Sequence, residues 1–424
     1  MYNSGLIEKL KLLIHQKDSL DRKGIQSFPA FSSITTQLLQ IYLCFSTRNG
    51  IQQDIKVIIQ NNLSQNVSAL IEMIKKTQIE TIIIDKNKVD LEMAFSRGVK
   101  YFKAISYISI DSYDVIESQS QLQNLVAPLL HINCPNQLQC PKRISLPDSP
   151  FVNEFRISIL NAVQHLTQNI NAYCSSLNQN HKVVVHIGQF LVNFTKDLNS
   201  MLFHDGKFSN SITTPASSSA EECQLSIIFL DNLLQMNTDR IKELSIVPKV
   251  FVALLNLVIF NESEQQCAEI VQRAVDIRSK SLSSLYHILT YGNAQIRKHI
   301  ICDLKYYHTL VGVIGIGGAC QEENDIVIHQ GIISFYLILQ YFRLGDSYNR
   351  FPSQLDLVKV VEEQIEQEGA DEEIETHIFN LNYCPYYEMT NKFYFKINHK
   401  NQYLDWSNYE DIEEDIEDDR DNPP

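Results

Sequence analysis

The residues best suited to chemistry in this chain sit close together at His131, Cys134 and Cys140, an H-x2-C-x5-C spacing among Pro135, Pro141, Pro147 and Pro150. Imidazole and thiolate are donors that zinc prefers. A structural zinc site takes about four of them, however, and the paired C-x2-C or H-x3-H spacings that make such a site legible are missing from this segment. A fourth ligand would have to come from a distance. No metal is therefore expected, and residues 132–150 read as an exposed Pro-rich linker or loop.

Other chemical signatures fail on context. The glycine-rich stretch at 312–320 (GVIGIGGAC) follows a helical pattern instead of a strand, and neither a Lys-Ser/Thr pair nor a ribose-binding acid follows it. It reads as a helix end rich in residues that tolerate positive φ. The twelve His form neither H-x-H nor H-E-x-x-H, and G-x-S-x-G, kinase and P-loop patterns are absent. No enzyme activity and no cofactor are expected; an enzyme with dispersed catalytic residues is the less favoured alternative.

Cysteine usage and apolar runs bound the setting. Nine Cys, an odd and scattered set with several in apolar helical stretches, suit reduced thiols in the cytoplasm or nucleus. The first residues (MYNSGLIEKLKLLIHQKDS) form an amphipathic helical pattern with interspersed Lys, unlike a signal peptide. The longest apolar stretch, 250–260, includes Asn256 and is too short to cross a bilayer, so no membrane association is expected.

The elements that must position any site are helices. With only 14 Gly and 12 Pro in 424 residues, a turn-rich β fold is excluded. Apolar periodicity predicts helices near 150–178, 182–202, 222–236, 238–259, 263–290, 293–302, 304–314, 325–343 and 354–368. A helical phrase recurs at 187–195 (IGQFLVNFT), 226–234 (SIIFLDNLL), 281–289 (SLSSLYHIL) and 331–339 (GIISFYLIL), with starts 39, 55 and 50 residues apart. Such spacing suits stacked helical repeats, each burying the apolar face of its neighbour.

One unit shows the grammar best. In it, SLSSLYHILTYGN is followed by AQIRKHII and then LKYYHTLVGVIG. It resembles the armadillo repeat: Leu285, Ile288 and Leu289 match the third helix, Tyr291-Gly292-Asn293 the turn, Ile296, Ile300 and Ile301 the first helix, and Leu304, Leu310 and Val311 the second. The resemblance implies an all-α, right-handed superhelix of the armadillo or HEAT-like kind. Residues 1–131 would form an N-terminal helical region, and 151–380 would form the repeats around a Ser/Thr-rich loop at 206–220.

In peptide-binding armadillo proteins a ladder of Asn on the third helices holds the backbone of an extended ligand, an amide offering both donor and acceptor. The matching positions are Asn193, Asn232 and His287, while Leu337 breaks the row. The Trp that accompanies the ladder in nuclear-import receptors is missing, since Gln189, Ile228, Ser283 and Ile333 stand there. A nuclear-localisation-signal receptor is therefore not expected.

Charge is concentrated at the end. Ten acids and one Arg lie within 405–421 and eight acids within 361–375, which leaves the rest of a chain of net charge −14 nearly neutral. No basic run offers a phosphate-binding face, so direct nucleic-acid binding is not expected. Nine aromatics crowd into 383–409, among them Tyr394 and Trp406. This 381–409 segment reads either as a cap over the last helices or as a peptide that docks a partner, ahead of an acidic, disordered tail at 410–424. The function expected is a non-catalytic adaptor or scaffold that binds protein partners, an extended peptide or the subunits of a complex. A structural subunit of a large assembly is the alternative.

Overall fold

The computed structural model describes residues 126–167, 171–202, 217–235, 237–260, 268–314, 325–345 and 352–368, with scattered positions between 92 and 103. Tyr394, Trp406, the acidic tail and nearly all of 1–125 lie outside the described residues. Among those described, helix accounts for 83% and no strand forms, which is the all-α class that the composition requires. The chain divides into two units, 1–297 and 298–424.

In the first unit, short 3-10 turns (Ala127–His131, Asn136–Leu138) precede α1 (Pro150–Thr167), α2 (Asn171–His181), α3 (Val183–Leu202), α4 (Ser217–Leu234), α5 (Thr238–Ser245), α6 (Val250–Val258) and α7 (Ala268–Tyr291). The short α8 (Ala294–Lys298) reaches the boundary. The second unit contains a π-helical turn (His299–Asp303), α9 (Tyr306–Ile314), α10 (Asp325–Leu344) and α11 (Leu355–Glu368).

The recurrent phrase has one burial register. Its first, second, fifth, eighth and ninth positions are buried in all four copies: Ile187, Gly188, Leu191, Phe194 and Thr195 on α3; Ser226, Ile227, Leu230, Leu233 and Leu234 on α4; Ser281, Leu282, Leu285, Ile288 and Leu289 on α7; Gly331, Ile332, Phe335, Ile338 and Leu339 on α10. This i, i+1, i+4, i+7, i+8 set is one stripe of a 3.6-residue helix. Each fully buried Leu, Ile or Phe contributes about 1.5–3 kcal/mol over leaving it in water.

In the first unit α3 packs on α4 and α4 on α7, so three copies follow one another. The largely apolar α6, interrupted only by Asn256, lies against both α3 and α7, and α1 covers α4. Gly188 lets α5 approach α3, because a Cβ there would stand 2.8 Å from Leu244 Cδ1. In the second unit α9, α10 and α11 pack on one another around Tyr306, Tyr307 and Phe335.

Four departures from the expected pattern stand out. The expected 238–259 helix divides at Pro248, which cannot continue a helix, and Lys249 turns the chain through a left-handed φ of 64°. The expected 150–178 helix is found as two helices, Pro150–Thr167 and Asn171–His181. Helix α4 starts at Ser217, inside the tract read as a Ser/Thr-rich loop, because Ala220 and Cys223 are fully buried and draw its first turn into the core. Residues 132–150 are not a purely exposed linker. Ile132, Cys134 and Leu146 are buried, and the segment folds back so that Asn133 N–H donates to Ile144 O (2.8 Å) and Ile144 N–H to His131 O (3.0 Å).

Candidate metal centre and the repeat face

The folded-back segment brings the three donors noted in sequence to one point. His131 closes the first 3-10 turn, and Asn133 adopts a left-handed φ of 49°. Gln139 repeats that conformation at 45° just before Cys140, whose carbonyl accepts from Arg143 N–H (3.1 Å). Left-handed backbone costs an ordinary L-residue about 1–2 kcal/mol. Both kinks carry Cys134 and Cys140 back toward the same imidazole. His131 Nδ1 lies 3.6 Å from Cys134 Sγ and 3.3 Å from Cys140 Sγ, while its Nε2 is 2.9 Å from His181 Nδ1.

The fourth donor comes from the corner between α2 and α3. Asn178 builds that corner: its carbonyl accepts from Lys182 N–H (2.8 Å), and its side-chain oxygen accepts from Val184 N–H (3.3 Å). Lys182, at φ 48°, turns the chain and places His186 in the first turn of α3. His186 Nδ1 lies 2.9 Å from Lys182 O, and since a carbonyl only accepts, this nitrogen carries the proton. The lone pair is left on Nε2, which is shut off from water with no hydrogen-bond partner. One donor atom from each of His131, Cys134, Cys140 and His186 lies within 4.8 Å of every other.

Burial keeps these imidazoles neutral. His131 is lowered to about 4, first by desolvation and then by His186, His181 and Lys142; His181 and His186 are lowered too, again first by desolvation. Desolvation and the adjacent Cys140 sulfur push the Cys134 thiol up to about 12. The cluster opens on a cavity of about 230 Å³ that Phe190, Asn193 and the Arg156–Glu222 pair also line. Arg156 Nη2 meets Glu222 Oε1 at 2.5 Å, and desolvation raises the Glu222 carboxyl although the guanidinium opposes it.

The three ladder residues are partly exposed, but they do not converge on that cavity. Asn193 lines it and accepts from Gln189 Nε2 (3.1 Å) on its own helix. His287 belongs to the α4–α7 contact, where the buried Asp231 carboxylate meets Lys280 Nζ at 3.2 Å and His287 Nε2 at 3.7 Å, and Asn232 follows Asp231 on α4. Asn232 Nδ2 and His287 Nδ1 have no hydrogen-bond partner.

The segment around Cys134 carries no paired spacing, but outside it His181 and His186 form H-x4-H, within the H-x3–5-H range of zinc sites, although only His186 joins the cluster. Nothing in sequence marked Arg156 or Glu222, which lie 66 residues apart on α1 and α4. No family model matches the chain, and no curated protein matches it in sequence.

Proposed function

We propose that this chain is a non-catalytic adaptor or scaffold whose stacked helical repeats present a partly exposed face to a partner protein, with an extended peptide as the suited ligand. The observation that carries this reading is the common register of α3, α4 and α7. When the first, second, fifth, eighth and ninth positions of each phrase are buried, the seventh falls at the edge of the stripe on every helix, and Asn193, Asn232 and His287 stand there half-buried. Two amides and an imidazole at this edge are side chains that can both donate to and accept from a ligand backbone.

The test begins with affinity purification from native cells, mass spectrometry and reconstitution with the recovered partner. Asn232→Ala is expected to weaken binding about two- to tenfold, the effect of losing a hydrogen bond of roughly 0.5–1.5 kcal/mol, with little change in thermal midpoint. Unchanged affinity together with a large loss of stability would assign Asn232 to helix packing and overturn the reading.

A further inference from the structure

We propose that His131, Cys134, Cys140 and His186 bind one zinc ion, which clamps the Pro-rich 131–144 segment to the first turn of α3. Zinc holds thiolate sulfur at about 2.3 Å and imidazole nitrogen at about 2.0–2.1 Å, so in a tetrahedron each S···N edge spans about 3.6 Å. The two His131–Cys edges, 3.6 and 3.3 Å, already have that span. All four donor atoms lie within 4.8 Å of one another, so the wider edges need to close by only about 1 Å to reach the S···S edge of roughly 3.8 Å in a tetrahedral site.

Three further features point to the same ligand. His186 Nε2 has no other role: its lone pair is buried and unpartnered, and the opposite nitrogen is anchored to Lys182 O, the outer contact that fixes a ligating imidazole. His131 is held in the same manner, with Nδ1 toward the sulfurs and Nε2 on His181. The charge also balances. Two thiolates, two neutral imidazoles and a divalent ion sum to zero, so the occupied centre buries no net charge, and binding releases the two thiol protons to solvent.

The donor set selects the metal. Two sulfurs and two nitrogens do not suit calcium or magnesium, which take oxygen ligands. A two-iron cluster would seat the His pair and the Cys pair on different irons, whereas here one imidazole nitrogen touches both sulfurs. Four protein ligands close the sphere, which makes the site structural. It closes a loop of more than 50 residues from His131 to His186 and supports the two left-handed kinks at Asn133 and Gln139.

The test is metal analysis of the full chain, purified under reducing conditions and reconstituted with zinc. One zinc per chain is expected, and cobalt substituted for it should show the visible bands of a tetrahedral ion with sulfur-to-metal charge transfer. Cys140→Ser and His186→Ala should each abolish stoichiometric binding. Cys140→His, which keeps a donor, should restore it, and Cys174→Ser, at a buried thiol outside the cluster, should leave it unchanged. His181→Ala should preserve the cobalt spectrum while weakening affinity about 10–100-fold, as loss of an outer contact does. Circular dichroism separates ligand loss from misfolding. Substoichiometric zinc after reconstitution, iron or copper in its place, a Cys134–Cys140 disulfide in the purified protein, or folded ligand variants that still bind one zinc would each overturn the proposal.

Discussion

Replacing Lys280 by Met tests how α4 and α7 are held together. The Asp231 carboxylate, with 7% of its side chain exposed, faces Lys280 Nζ at 3.2 Å and His287 Nε2 at 3.7 Å, both from α7. Met keeps the aliphatic stem and removes only the charge. At 3.2 Å the attraction is ~1.3 kcal/mol at the permittivity of water and ~5 kcal/mol at an effective permittivity of about 20. Lys280 is 41% exposed, so solvent screens the pair, and a loss of about 1–3 kcal/mol is expected near neutral pH.

The deficit should depend on pH in a definite direction. His287 lies below the ordinary imidazole value, chiefly through desolvation; Asp231 opposes that shift and Lys280 adds to it. A depressed imidazole contributes stability above the unfolded-state value and loses it as pH falls toward the folded one. Without Lys280 the depression shrinks, His287 protonates beside Asp231, and the new cation replaces the missing one. Denaturant titrations at about pH 8 and about pH 5.5, on either side of the ordinary imidazole value, should show the larger deficit at the higher pH. Histidine NMR titration should show His287 moving up in the variant. An equal deficit at both pH values, or a His287 that does not move, would refute the electrostatic account.

Two further substitutions probe the two units separately. The Tyr307 ring packs on the Tyr306 and Phe335 rings and its hydroxyl is fully buried without a partner, so Tyr307→Phe should raise the unfolding midpoint by an equivalent of about 1–2 kcal/mol; a lower midpoint would mean that the hydroxyl is satisfied. A Cβ on Gly292 would lie 2.3 Å from the Ile288 carbonyl oxygen, so Gly292→Ala must displace backbone at the end of α7 and should cost roughly 1–3 kcal/mol by denaturant titration, whereas a neutral result would show a turn free to shift.

Helices and their buried faces were legible in the chain because both depend on local spacing. The phrase SIIFLDNLL states its own burial stripe, since a helix brings i, i+4 and i+8 to one face whatever surrounds it. The break at Pro248 is equally local, because its ring removes a helix hydrogen bond and clashes with the preceding turn. The metal cluster was not local. His131, Cys134 and Cys140 are neighbours in sequence, but their meeting depends on left-handed turns at Asn133 and Gln139, which neither residue type dictates. His186 enters only because Asn178 and Lys182 set the corner between α2 and α3 and the packing of the first unit carries that corner to the Pro-rich segment. Asn193 shows the converse. Its place in the phrase matches that of Asn232, yet it lines the cavity and Asn232 does not, because the neighbours against which each helix packs decide what an edge position faces. Spacing along one helix sets which side is buried; only the packing of many helices sets which residues from distant segments share a site.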